Sequence, residues 1–140
     1  MTVVAGVDNS SVSEQVVARA VEQARWRGSA AHLVYVSYSP MIHADVPVDW
    51  TEVRDAQRAH VWSELETAIS RADVPIEKID LDGYPPDRLV GYANEIEAGL
   101  LVVGTRGHGE LASLVLGSTS HRAIHLAGCD VLVVKASSSG

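Results

Sequence analysis

An α/β fold built on a single doubly wound, five-stranded parallel sheet with helices on both faces is what the sequence predicts. Three observations carry it. Apolar runs at residues 3–7, 31–38, 76–81, 100–104 and 131–135 alternate with segments of helical period, and such alternation folds as parallel strands joined by right-handed helical crossovers. A run such as Leu100-Leu101-Val102-Val103 is apolar without interruption, as suits a strand covered on both faces. Asp8, Gly83 and Gly104 all stand at the carboxyl ends of these runs, the edge at which open α/β sheets hold their ligands.

Taken in order, the first strand is Val3-Val4-Ala5-Gly6-Val7, and the helix after it carries Val16, Val17, Ala20, Val21 and Ala24 on one stripe. Ser11 and Glu14 have capping-box spacing at its start, and Gly28 closes it. A second strand covers 31–38. Residues 39–50, with Pro40, Pro47 and Trp50, form the one long connection, expected to be a mobile loop or lid beside the ligand edge. Trp26, Trp50 and Trp62 read first as helix-face or loop packing, and of the three only Trp50, in the long loop, has base covering as an alternative reading. The second helix has Val53, Val61, Leu65, Ala68, Ile69 and Ala72 on one face, and the third strand follows at 76–81. Pro85-Pro86 opens the third helix, whose stripe is Leu89, Val90, Ala93 and Ile96. After the fourth strand, a last helix begins near Ser118 and ends before Gly128, and the fifth strand completes the sheet.

With 140 residues, 46% of them hydrophobic, the chain buries a core without disulfides or metals. One domain over residues 1–136 accounts for it, with Ser137-Ser138-Ser139-Gly140 as a disordered tail. The pattern fits a free-standing protein and one half of a tandem equally. The single cysteine, Cys129, excludes an internal disulfide and reads as a small apolar residue before a buried strand. No apolar run approaches the roughly 20 residues of a membrane span or follows a basic signal-like start, so the expectation is a cytoplasmic protein without a membrane partner. A net charge of -7, with Lys and Arg few and scattered, argues against nucleic acid as a partner. Phosphate is still allowed, because main-chain donors bind it locally and Mg²⁺ can share its charge.

The most informative stretch is Gly104-Thr105-Arg106-Gly107-His108-Gly109, with nine residues between Gly107 and the following Gly117-Ser118-Thr119-Ser120. It reads as strand end, glycine loop and helix start. Glycines at such a place let main-chain N–H groups reach a ligand that side chains would block. Ser118 or Ser120 caps the helix in the plain reading. In the functional reading both bind phosphate, at a helix N-terminus whose open N–H groups and dipole attract anions. Asp8 has the same two readings, a helix-entry cap ahead of Asn9-Ser10-Ser11 or a ligand contact.

The spacing Gly104-x2-Gly107-x9-Gly117-Ser118 resembles the nucleotide-binding signature of the universal stress protein family, in its ATP-binding branch, and the match is complete at those positions. Val3 to Asp8 with the serines after it, Gly83-Tyr84-Pro85, and Cys129 to Val134 are similar too, so the likeness runs along nearly the whole chain. Two departures stand out. Cys129-Asp130 replaces the common Cys-Pro, and Gly99 replaces a frequent acidic residue, neither of them at the phosphates. The resemblance implies the Rossmann-like, adenine nucleotide alpha-hydrolase-like variant of the fold, an ATP site with Mg²⁺, and Asp8 with the backbone near Val36 beside the adenine. It implies Gly104, Gly107, His108, Gly109, Gly117, Ser118, Thr119 and Ser120 around the phosphates. It also implies a homodimer through the final strand Val131-Leu132-Val133-Val134, whose apolar edge would otherwise leave unpaired main-chain groups exposed to aggregation.

Other motifs fail on inspection. Gly99 to Thr105 has P-loop glycine spacing, but the residues between the glycines are the strand itself and Thr105 stands where a Lys is required. Gly107-x-Gly109-x2-Ala112 imitates a dinucleotide fingerprint, yet Lys135 replaces the acidic residue needed at the end of the next strand. Asp8, Asp82, Thr105 and Lys135 occupy the positions of a phospho-acceptor receiver, but Asp8-Asn9 replaces its acidic pair and a receiver has no use for these glycines. His121 and His125, four apart, lack a third metal ligand at suggestive spacing. The sequence thus predicts an ATP-binding stress sensor or signalling module acting on an unknown downstream protein. A dedicated enzyme is disfavoured, since no nucleophile, base and orienter stand together and backbone cradling with Mg²⁺ permits at most slow ATP hydrolysis. Two alternatives stay open: a nucleotide-free dimeric interaction module of the same fold, and an adenylylating enzyme.

Overall fold

The computed structural model describes residues 1–38, 50–105 and 117–135. Strands and helices alternate strictly among them: β1 (Val3–Val7), α1 (Ser13–Arg27), β2 (Ala31–Ser37), α2 (Trp50–Ser70), β3 (Ile76–Asp82), α3 (Pro85–Glu95), β4 (Leu100–Gly104), α4 (Ser118–Leu126) and β5 (Asp130–Val134). The strands form one sheet in the order β3-β2-β1-β4-β5, every neighbouring pair parallel. The doubly wound α/β architecture is therefore the observed one. Strand order reverses between β1 and β4, and a crevice opens at the carboxyl ends of a sheet at such a switch point.

Alternation along each strand sends side chains to two cores. Val3, Ala5, Leu33 and Val102 face α1 and α2, while Val4, Val34, Leu101 and Val103 face α3 and α4. All eight are essentially inaccessible to solvent, which explains the uninterrupted apolar runs. The α1 stripe is buried as its spacing requires, and Gly28 ends the helix in the left-handed region at φ 62°. Pro85 and Pro86 open α3, and Leu89, Val90 and Ala93 are buried beneath it. Asn94 of α3 then ties down the end of α4, donating from Nδ2 to the Leu126 carbonyl at 3.2 Å and accepting at Oδ1 from the Gly128 N–H at 2.8 Å.

Several expectations need correction. The capping box at Ser11 and Glu14 does not form: α1 starts at Ser13, and its cap residue Val12 offers no side-chain bond. The Ser13 hydroxyl is instead taken by Asp8. Trp50 is the first residue of α2 and not part of a connection, while the lid expected over 39–49 and the tail from 136 lie outside the described residues. Val53 is exposed, and on α2 only Val61 and Leu65 are fully buried, with Ala68 and Ile69 partly so, while Ala72 lies beyond the helix end at Ser70 and is partly buried. At 21 residues this helix is about 30 Å long, whereas the seven-residue strand β2 spans about 23 Å. Its first turns overhang the sheet.

The two sheet edges differ in kind. β3 presents Glu77, Lys78, Asp80 and Asp82 to solvent, and these charges discourage pairing with another chain. β5 presents Val131, Leu132 and Val133, all half-buried, at the opposite edge. Among the described residues no helix is long and apolar enough to cross a membrane.

Candidate functional site

A cleft of about 290 Å³ opens at the carboxyl ends of the strands, where the order reverses. Asp8, Val36, Gly104, Gly117, Ser118, Thr119 and Ser120 all line it, so seven residues chosen from the sequence converge on one place. Gly107, His108 and Gly109 lie outside the described residues. Because β2 and β3 sit on one side of β1 and β4 on the other, the cleft has two different sides. Toward β2 and β3 it is walled by Val34, Val36, Tyr38, Tyr84, Pro85 and Leu89. Toward β4 it is walled by Gly104 and the first turn of α4.

The polar side is built by a short set of hydrogen bonds around Thr105. Its N–H donates to the Val134 carbonyl at 2.9 Å, and its own carbonyl accepts from the Gly117 N–H at 2.6 Å. The Ser120 hydroxyl, wholly buried, reaches both the Thr105 carbonyl at 3.2 Å and the Gly117 carbonyl at 3.0 Å. Ser120 is therefore a clip that fixes the start of α4 to the end of β4. Neither Ser118 nor Ser120 caps the helix through its side chain, contrary to the plain reading, because Gly117 holds the cap position. The first bond inside the helix runs from the His121 N–H to the Gly117 carbonyl at 3.0 Å. Helix geometry consequently gives the N–H groups of Ser118, Thr119 and Ser120 no partner inside the helix, at the positive end of its dipole, and among the described residues no loop or cap bond takes them. Ser120→Ala is expected to cost about 1 kcal/mol, read as a lower midpoint in urea denaturation, while a stability unchanged from the wild type would contradict the clip.

Asp8 is fixed just as firmly. Its Oδ1 accepts the Ser10 N–H at 2.8 Å and the Ser13 hydroxyl at 3.0 Å, and its own N–H donates to the Ser13 oxygen at 2.9 Å. Asp8 therefore closes a turn through the Ser10 N–H and does not cap α1, whose cap residue is Val12, and it lines the cleft. One feature was missed from the sequence. Ser10 lines the cleft, and among the described residues its buried hydroxyl has no hydrogen-bond partner. A run of serines after a strand end gives only a weak signal for this, since nothing in the run says which hydroxyl will be stranded.

Gly104 lines the cleft and has a packing role as well. A Cβ built there would stand 2.6 Å from Val12 Cγ1, so glycine is required to let the entry of α1 pack over the end of β4. Charge is distributed to the outside of the cleft: Arg54 and Arg58 of α2 pair with Asp80 and Asp82 of β3, and Arg58 also reaches the Ser37 hydroxyl. Among the described residues no Lys or Arg lines the cleft, and an anion there meets N–H dipoles and hydroxyls. The tyrosine of β2, Tyr35, faces α2, where burial raises its pKa against the opposing pull of Arg58. Burial likewise raises the Cys129 thiol, helped by Asp130. His121 and His125 stand with ring centres 4.7 Å apart on the exposed side of α4, and among the described residues no group of three possible ligands forms a metal site.

A profile of the universal stress protein family matches residues 1–135. The chain belongs to the universal stress protein family. A universal stress protein of Mycobacterium tuberculosis (strain CDC 1551 / Oshkosh) is 34% identical over 142 residues, which covers 95% of this chain and 94% of that relative. A universal stress protein solved in complex with cAMP superposes with a TM-score of 0.74 at 30% identity, covering 98% of each chain. One from Archaeoglobus fulgidus, solved in complex with dAMP, gives 0.73 at 25% identity, covering 96% of this chain and 98% of that one.

Proposed function

We propose that this universal stress protein binds an adenine nucleotide in the cleft, with ATP and Mg²⁺ as the working ligand, and that occupancy changes its contacts with a downstream protein in stress sensing or signalling. The observation that carries the reading is an apolar recess beside three open helix N–H groups, the layout a base joined to phosphates requires. The stranded Ser10 hydroxyl fits it as well, because a buried polar atom without a partner has a donor or acceptor to gain from a ligand. In this reading Asp8 and the backbone at Val36 meet the adenine. Gly104, Gly107, His108, Gly109, Gly117, Ser118, Thr119 and Ser120 surround the phosphate path. Mg²⁺ would be held chiefly by phosphate oxygens and would share the charge that no cation of the described cleft neutralises. The relatives in complex with cAMP and dAMP support an adenine nucleotide as the ligand class. The role is binding and signalling from the cytoplasm by a domain covering 1–136, and not dedicated catalysis.

ATP with Mg²⁺ is expected to raise the melting temperature. A ligand at 100 times its dissociation constant stabilises a protein by about 2.7 kcal/mol, which is about 10 °C for a domain of this size. Differential scanning fluorimetry reads this directly, and a melting curve unmoved by millimolar ATP would count against the reading.

We also propose a homodimer paired through β5. This apolar edge carries no proline or inward charge between Val131 and Val134, and symmetric pairing would satisfy the outward main-chain groups of β5. Val133→Pro removes a strand donor and should give a monomer or an aggregate in light scattering. A wild-type monomer at tens of micromolar, with or without ATP, is the outcome that excludes the pairing.

A further inference from the structure

We infer that Tyr38 and Tyr84 form an aromatic wall that stacks on the base of the bound nucleotide, an inference that rests on the nucleotide reading of the cleft. Tyr38 follows β2 and Tyr84 follows Gly83 at the end of β3, so the two rings come from separate strands that are adjacent in the sheet. They meet edge to face, with centres 5.8 Å apart and planes inclined by 61°. Both line the cleft on its apolar side, yet they remain 54% and 47% exposed. Large aromatic rings left half in water at the mouth of a recess have apolar surface still to bury, and a base offers a flat partner of the same kind.

The positions of the rings explain why the stacking is specific to this side. Val36 lies two residues before Tyr38 on β2, and the polar first turn of α4 lies across β1 on the other flank. A nucleotide with its phosphates at Ser118 to Ser120 extends its base toward the tyrosines. Gly83, at φ 135°, permits the turn that delivers Tyr84, and Pro85 immediately carries the chain into α3, so backbone geometry places Tyr84 at the mouth of the cleft. No charged side chain stands among the described residues of this wall. Recognition there is by shape and stacking, with the tyrosine hydroxyls free to stay in water.

Stacking on one aromatic residue changes affinity for a base by about tenfold or more on alanine substitution. The test is calorimetric titration of the full chain and its Tyr38→Ala, Tyr84→Ala, Tyr38→Phe and Tyr84→Phe variants, with ATP and with inorganic tripolyphosphate as a ligand that has no base, each with Mg²⁺. Each alanine variant is expected to lose about tenfold in ATP affinity while each phenylalanine variant keeps it. Tripolyphosphate affinity should be the same in all five proteins. Nuclear Overhauser contacts between the adenine protons and the rings of Tyr38 and Tyr84 give a second readout that no general loss of stability imitates. Alanine variants that bind ATP within twofold of the wild type, or that lose ATP and tripolyphosphate alike, overturn the stacking role while leaving the nucleotide site intact. A wild type that binds neither ligand overturns the nucleotide reading itself, and this inference with it.

Discussion

Gly117→Val is expected to remove detectable ATP binding from a chain that still folds. Gly117 sits at φ -66° and ψ 164°, a region open to every residue, so the substitution imposes no backbone strain. What changes is space. The glycine is buried at the cap position, its N–H is committed to Thr105, and it lines the cleft beside Ser118, Thr119 and Ser120. A branched side chain there takes the volume that phosphate oxygens need, and a loss of at least 100-fold corresponds to about 2.7 kcal/mol. Overpacking of the same site costs about 1 to 3 kcal/mol of stability, so circular dichroism and a cooperative melt accompany the calorimetry. Ser118→Ala, which removes one hydrogen bond to a charged group, should weaken binding less, by about 1.5 to 3 kcal/mol at most. Undiminished affinity in the Gly117 variant would move the phosphates elsewhere.

Leu101→Ala is expected to produce a large loss of stability, about 2 to 5 kcal/mol. Leu101 is fully buried on β4, flanked by β1 and β5, and faces the core beneath α3 and α4. Two covered faces and two paired neighbours leave the strand little room to collapse into the cavity. Urea denaturation should show a lower midpoint with an unchanged slope. A change under about 0.5 kcal/mol, the range of ordinary surface substitutions, would mean that the core packs differently from the arrangement described.

Strand positions were legible in the sequence because burial on both faces removes polar interruptions, as Val3 to Val7 and Leu100 to Gly104 illustrate. Helix stripes were legible where the helix lies over the sheet, as in α1, and failed at Val53, where α2 runs past it. Caps were the weakest reading. Ser11 and Glu14 have the right spacing, but Ser13 bonds Asp8 across the loop, and that tertiary contact decides where α1 begins. The late glycine motif pointed to the correct edge of the sheet, where Gly104 lines the cleft and is also kept small by Val12 of the same chain. Tyr38 and Tyr84 could not be found from sequence spacing, since their meeting depends on β2 and β3 being neighbours, and the stranded Ser10 hydroxyl depends on how the Asp8 turn closes.

A crystal structure of the chain grown with ATP and Mg²⁺ tests the central claim most directly. The account predicts one nucleotide per chain in the cleft between β1 and β4, its base against Val36 and the Tyr38 and Tyr84 rings, its phosphates on the N–H groups of Ser118, Thr119 and Ser120. Nucleotide density at any other place on the molecule, or a cleft without it at saturating ATP, would contradict the account.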